Sequence, residues 1–303
     1  MIEIQFTPDA APTTGPFDLA DADAYRRWRD ARLAAAPTRL DELVVEVGDP
    51  RQLTVAHYQA ILERLRRANM AIYVGATGED PSKSIPAALG TRFGLRRLDH
   101  NPGADEDAIT SLKVQTDAGH AGYIPYTDRP IAWHTDGYYN TPERQIHGLL
   151  LHCVQPAAVG GANAVLDHEI AYCLVRDQDP AFIAALMHPQ CMTIPANASD
   201  AGGQLRPEQA GPVFSVSAQG HLHMRYTNRS RHCHWRDDPL TRAAVDCLKT
   251  VLHTASPWHL EGRLESGWGL ICNNVLHTRT AFTDGPAPRL IYRARYYDRI
   301  AET

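Results

Sequence analysis

From Ile124 onward the sequence is written in short apolar runs, at 148–154, 164–166, 213–216, 222–226, 269–271 and 290–297, with turn-forming residues between them. Runs of this length bounded by Gly, Pro, Asn and Asp read as strands. Strict β–α alternation is absent and no glycine-rich strand-to-helix turn occurs, which argues against a nucleotide-binding parallel sheet. Two helices are expected to interrupt, starting at Asp179-Pro180 and Asp238-Pro239, where proline takes the favoured first helical position. Strands spread so widely, with helices inserted between them, predict a mostly β fold with flanking helices: a β-sandwich or jelly roll.

Ahead of this region lies a helical segment. A charged helix is expected near 24–36, with Tyr25, Trp28 and Leu33 facing inward and Asp18, Asp21 and Asp23 at its positive end. Thr54 suits the N-cap of a second helix, in which Val55, Tyr58, Leu62 and Leu65 recur at helical spacing, and Asn69 closes it. The apolar stretch 70–74 then reads as a buried strand. Residues 1–69 are accordingly expected to be an N-terminal helical extension packed on the core, and 70–303 the jelly-roll domain with helical insertions.

Bulk properties narrow the function. The formal charge of -5 lacks the basic excess of a nucleic-acid binder, so no nucleic-acid partner is expected. Met1-Ile2-Glu3 begins no basic-then-apolar signal, and no run approaches the roughly 18 apolar residues of a membrane span. Six cysteines without a C-x-x-C pair give neither a zinc ribbon nor a disulfide framework. Reduced thiols in a cytoplasmic protein are the expectation. A small-molecule substrate fits these properties, and a homo-oligomer is left open.

The chemistry starts at Trp133-His134-Thr135-Asp136-Gly137. Residues two apart on a strand point the same way, so His134 and Asp136 converge, and Gly137 lets the chain turn away. An imidazole and a carboxylate are two of the three ligands in the facial triad of non-heme iron(II) oxygenases. Alone, H-x-D more often marks a hydrogen-bonded or exposed pair. A distant histidine is needed, and His277 follows directly on the apolar run near Trp268. Further on, Arg289 and Arg293 fall on one face of a strand, ~13 Å apart at ~3.3 Å per residue. Pointing into a β core they would need an anion; on an edge strand they would face water, the commoner arrangement.

Together these segments resemble the TauD/TfdA-like (taurine/chlorophenoxyacetate) branch of the iron(II)/2-oxoglutarate dioxygenases. The likeness rests on four pieces in order: the 133–137 run, Leu150-Leu151-His152-Cys153 leading to Gly160-Gly161, the 274–282 run around His277, and 289–295. It covers about 70–297. The resemblance implies a double-stranded β-helix, with iron held by His134, Asp136 and His277 and with 2-oxoglutarate and O2 as cosubstrates. It implies that Arg289 binds the far carboxylate of 2-oxoglutarate and that Arg293 faces the primary substrate. Where the family often has a hydroxyl residue after the Gly-Gly turn, this chain has Asn163, whose amide can donate a similar bond.

Tyr138 and Tyr139 follow the motif directly, and Tyr138 is taken as the substrate contact. Lys113, Tyr123 and Tyr126 are further pocket candidates. His221, His223 and Arg225 read as the polar face of a hairpin strand with Leu222, Met224 and Tyr226 inward. A metal role for the His221/His223 or His232/His234 pairs is the lesser reading. Loops at 78–84 and 197–209 are placed at the mouth as a lid. The expected activity is hydroxylation, or a related oxidation, of a small polar, anionic or amino-acid-like substrate with release of succinate and CO2. The alternative is a metal-dependent cupin-like enzyme or hydrolase using the same triad.

Overall fold

The computed structural model describes residues 15–100, 104–115, 123–198, 204–229 and 233–303. Two main sheets organise the chain. In chain order their strands are β1 (Val44–Val47), β2 (Met70–Gly75), β3 (Thr110–Leu112), β4 (Ile131–His134), β5 (Gly148–Gln155), β6 (Asn163–Leu166), β7 (Leu260–Gly262), β8 (Trp268–Cys272), β9 (Leu276–Arg279) and β10 (Leu290–Tyr296). The larger sheet runs β1-β2-β8-β5-β10-β3 and the smaller β7-β6-β9-β4. Only β1 and β2 pair in parallel; the other pairings in the two sheets are antiparallel. The chain passes between sheets at each successive step from β4 to β6 and again from β7 to β10. That passage winds it into the expected double-stranded β-helix.

Side-chain alternation explains why β5 is apolar throughout. Leu149, Leu151 and Cys153 face the space between the sheets, beside Ile72, Val165, Leu260, Leu270 and Ile291. Leu150 and Val154 point to the outer face, where α2 (Val55–Ala68) and α3 (Ser84–Arg92) supply Ile61, Leu62, Leu65, Leu89 and Phe93. A strand covered on both faces loses its polar alternation. Behind the smaller sheet, α4 (His168–Arg176), α5 (Pro180–Leu186) and α6 (Pro239–His253) form a third apolar cluster with Trp133, Leu166 and Leu276. The first helix, α1 (Ala22–Ala35), docks there through Tyr25 and through Arg32, whose guanidinium meets Asp167 and Glu169 at 2.7 and 2.6 Å.

The helix starts at Asp179-Pro180 and Asp238-Pro239 stand as expected, each aspartate capping a free N–H. Thr54 caps α2 and Asn69 ends it with φ 56. Val55, the first residue of α2, is exposed at 72%, whereas Tyr58, Leu62 and Leu65 at the same spacing are buried. Two helices were not foreseen. Helix α4 is only 9 residues long and most of its side chains are buried, and Asp167 caps it. In α3 a proline and a glycine interrupt the pattern. The strand at Leu222–Met224 pairs with Phe214–Val216 as a hairpin, but its polar face is not solvated: His223 and Arg225 are buried. Part of the 197–209 loop, and Arg231 and His232, lie outside the described residues. No described helix is long and apolar enough to cross a membrane.

Candidate metal centre

The register of the smaller sheet sets His277 directly opposite His134, and their ring centroids lie 4.2 Å apart. Asp136 follows where β4 has ended. One donor atom from each of His134, Asp136 and His277 falls within 4.8 Å of the others, a grouping found once among the described residues. His134 Nδ1 lies 2.9 Å from Ala132 O, and His277 Nδ1 lies 3.0 Å from Val275 O. A carbonyl can only accept, so both Nδ1 atoms carry the proton and both Nε2 lone pairs are free. Burial pushes the His134 imidazole down to about 3, and neighbouring His277 adds to this; a neutral ring is the ligating form. For Asp136 burial opposes ionisation, but Arg293 and Arg295 outweigh it and hold the carboxyl below its usual range. Its Oδ2 is buried without a partner.

The backbone around Asp136 is held from the far end of the sequence. Asn274, in the turn between β8 and β9, accepts from Asp136 N at 2.8 Å and donates to Asp136 O at 3.0 Å and Ile146 O at 2.7 Å. Its φ of 50 is one that Asn tolerates better than most residues. Gly137 has φ 67, and a Cβ there would lie 2.3 Å from Ile146 Cγ1, so only glycine fits behind the ligand. On the other side, Thr135 exchanges bonds with Tyr226: Thr135 N donates to Tyr226 O, and Tyr226 N donates to Thr135 Oγ1.

The arginine face of β10 is buried, not solvated. Arg289 is 5% exposed, lies over the Phe282 ring, and has an Nη1 with no partner. Burial pushes its guanidinium down to about 10. The Gly160-Gly161 turn passes beside it, with Gly160 at φ 74 against Ala281 O. Arg293 reaches Asp136 instead, Nη1 to Oδ1 at 3.3 Å. Arg295, two residues further on the same face, bonds Asp99 and the Tyr139 hydroxyl. Asn163 lines a small apolar cavity with His277, Leu151 and Val165; its amide nitrogen donates to Thr278 O at 2.7 Å.

Tyr138 and Tyr139 pack edge to face at the mouth. The Tyr138 carbonyl accepts from Arg225, which also reaches Met192 O and Gln209 O. Arg279 holds the 124–129 segment through four carbonyls, fixing buried Tyr126, whereas Tyr123 and Lys113 are exposed. Arg206 also lies over the Tyr139 ring and makes no ion pair among the described residues, its donors going to Pro195 O and Pro207 O. Sequence reasoning missed Asn274, Arg206 and Arg295. For Arg295 the signal was available, since the alternation that pairs Arg289 with Arg293 extends to it.

Comparison with known proteins agrees with this geometry. The family model described as taurine catabolism dioxygenase TauD, TfdA family, matches residues 41–295. A uridine-5'-phosphate dioxygenase from Amycolatopsis sp is 32% identical over 176 residues, 54% of this chain and 60% of that protein. One from Streptomyces sp is 29% identical over 196 residues, 63% and 69% of the two chains. The match to the first of these thus spans less than two thirds of its length. Asparagine oxygenase, solved with Fe(II), 2S,3S-3-hydroxyasparagine and succinate, superposes with a TM-score of 0.56 at 16% identity, over 80% of this chain and 79% of that one; this likeness is one of fold. The chain belongs to the TauD/TfdA family of iron(II)- and 2-oxoglutarate-dependent dioxygenases.

Proposed function

We propose that His134, Asp136 and His277 hold iron(II), that Arg289 anchors 2-oxoglutarate, and that the enzyme oxidises a small phosphorylated, nucleotide-like substrate. The observation that carries the metal assignment is the convergence of one donor atom from each of His134, Asp136 and His277 within 4.8 Å, with Asp136 Oδ1 3.9 Å from His134 Nε2. Two imidazoles and one carboxylate are the donor set of a facial iron(II) site with open positions. With iron bound, 2-oxoglutarate and O2 supply the oxidising power, ending as succinate, CO2 and an oxidised substrate.

The protein's part is binding and orientation. Hydrogen bonds from Nδ1 fix both imidazoles, and Asn274 fixes the Asp136 backbone. Arg289, without a protein anion at ion-pair distance among the described residues, suits the far carboxylate of the keto acid. Phe282 beneath it keeps water from that pair. A hydrolase or cupin-like enzyme needs no such buried anchor, which favours the dioxygenase over that alternative.

Charge supports the substrate class. Arg206 and Arg295 flank the Tyr139 ring and Arg293 meets Asp136, and the carboxylates beside them, Asp99 and Asp136, are already engaged. A phosphate monoester, carrying close to two negative charges at neutral pH, answers this excess. A zwitterionic amino acid would bring an ammonium group to a corner whose named carboxylates, Asp99 and Asp136, already pair with arginines. The two uridine-5'-phosphate dioxygenases among its relatives point to the same class.

The test is an anaerobic titration of metal-free protein with iron(II) and 2-oxoglutarate, followed by aerobic succinate release with uridine 5'-phosphate, asparagine or arginine present. A visible charge-transfer band, and succinate release stimulated by the nucleotide, are expected. Absence of the band would overturn the dioxygenase reading, and stimulation by the amino acids alone would overturn the phosphate reading.

A further inference from the structure

Arg293 differs from the other buried arginines in the partner it keeps. Arg225 and Arg279 spend their donors on backbone carbonyls. Arg295 has Asp99 and Tyr139. The ion-pair partner of Arg293 is Asp136, at 3.3 Å, and its Nε, like those of Arg279 and Arg295, is buried without a partner. Both side chains are more than nine-tenths buried. Asp136 Oδ1 therefore faces two claims. It lies 3.3 Å from Arg293 and 3.9 Å from His134 Nε2, on the side where the three ligand atoms converge.

A divalent ion taken up by Asp136 would stand close to the Arg293 guanidinium in a water-poor interior. Like charges repel strongly there, since little solvent screens them. The carboxylate that offsets Arg293 would at the same time be drawn toward the metal. An anion lying beside Arg293 restores the balance and uses the idle Nε donor.

We propose that Arg293 couples the two binding events: it pairs with Asp136 in the metal-free protein, and metal binding releases it to an anionic group of the substrate. Metal and anion then bind cooperatively, each raising the affinity of the other by the same factor, because linkage is reciprocal. The inference rests on the metal and substrate assignments proposed above. It makes Arg293 a competitor of the metal for Asp136 in the free protein as well as a substrate contact.

Calorimetric titration of the metal-free protein with Mn(II), with and without uridine 5'-phosphate, tests it without turnover. His277→Ala serves as the blank for metal held by the nucleotide alone. In wild type the nucleotide should tighten Mn(II) about 5-fold or more, the lower end of ordinary coupling between sites. Arg293→Gln, checked for folding by circular dichroism, should bind Mn(II) about tenfold tighter than wild type and lose the nucleotide effect. Arg293→Lys, which keeps the charge, should stay near wild type without nucleotide. If folded Arg293→Gln binds Mn(II) no tighter, or wild type shows no nucleotide effect although the nucleotide stimulates succinate release, the coupling is wrong. Should Arg293→Gln not fold, the wild-type nucleotide effect and Arg293→Lys decide. If wild type binds no Mn(II), the metal assignment falls and the coupling with it.

Discussion

Arg289 and Arg293 stand four residues apart on one face of β10, and their surroundings separate their roles. Arg289 meets an aromatic ring and a glycine turn and keeps a donor unused; Arg293 meets a carboxylate. A buried guanidinium without an anion is costly, which is why Arg289 is given the keto acid. Hydrogen bonds to charged groups contribute ~1.5–3 kcal/mol, so Arg289→Ala should weaken 2-oxoglutarate about 10- to 150-fold, with ~1.4 kcal/mol per factor of ten. Titration of the visible band reads this directly, and wild-type affinity in the variant would remove Arg289 from the site. At this scale the sequence was informative where alternation acts, on Arg289 with Arg293, whereas Asp136 converges with His134 from the turn after β4. It was silent on partners. Nothing in Gly160-Gly161-Ala162-Asn163 says that the Asn163 amide donates to Thr278 O, because that contact joins two strands 115 residues apart.

Among the elements, the pairing of β9 with β4 and the turn before β9 decide the site. Register places His277 across from His134, and Asn274 ties the turn to the Asp136 backbone by two bonds, with a third to Ile146. Each buried hydrogen bond contributes ~1 kcal/mol, and an orphaned polar group costs ~1–3. Alanine also tolerates positive φ less well than asparagine. Asn274→Ala should therefore destabilise the fold by about 2–4 kcal/mol, lower the melting temperature, and weaken Mn(II) binding in the fraction that folds. An unchanged melting temperature and unchanged metal affinity would mean that the bracket is incidental. Strands and the aspartate-proline helix starts were legible, since local chemistry marks them. Helix α4 was not, because its 9 residues are too short a window for a helical period to stand out beside the strand runs.

The whole molecule buries several imidazoles that belong to no proposed ligand set. Burial pushes His147, His152 and His168 each down to about 4, against ~6.5 for an unperturbed side chain. The unfolded chain then takes up more protons than the folded one below pH 6.5. Stability contributed by the neutral rings is complete above that value and is lost as pH falls toward 4. The slope reaches ~1.4 kcal/mol per unit for each ring, or at most ~4 for the three. Urea denaturation at pH 7.5 and 5 should show a clear fall in midpoint; equal midpoints would mean that the rings are hydrated in the folded state. The division between what was readable and what was not follows from range. The sequence by itself determined the strand-rich class, the helix caps and the arginine spacing, because periodicity and capping act over a few residues, while the triad was nominated by likeness to the family. Only the tertiary structure decided that His277 meets His134, that Asn274 brackets Asp136, and that Arg293 pairs with the Asp136 carboxylate. Those contacts join segments more than a hundred residues apart, and their energy comes from burial and register that no local pattern encodes.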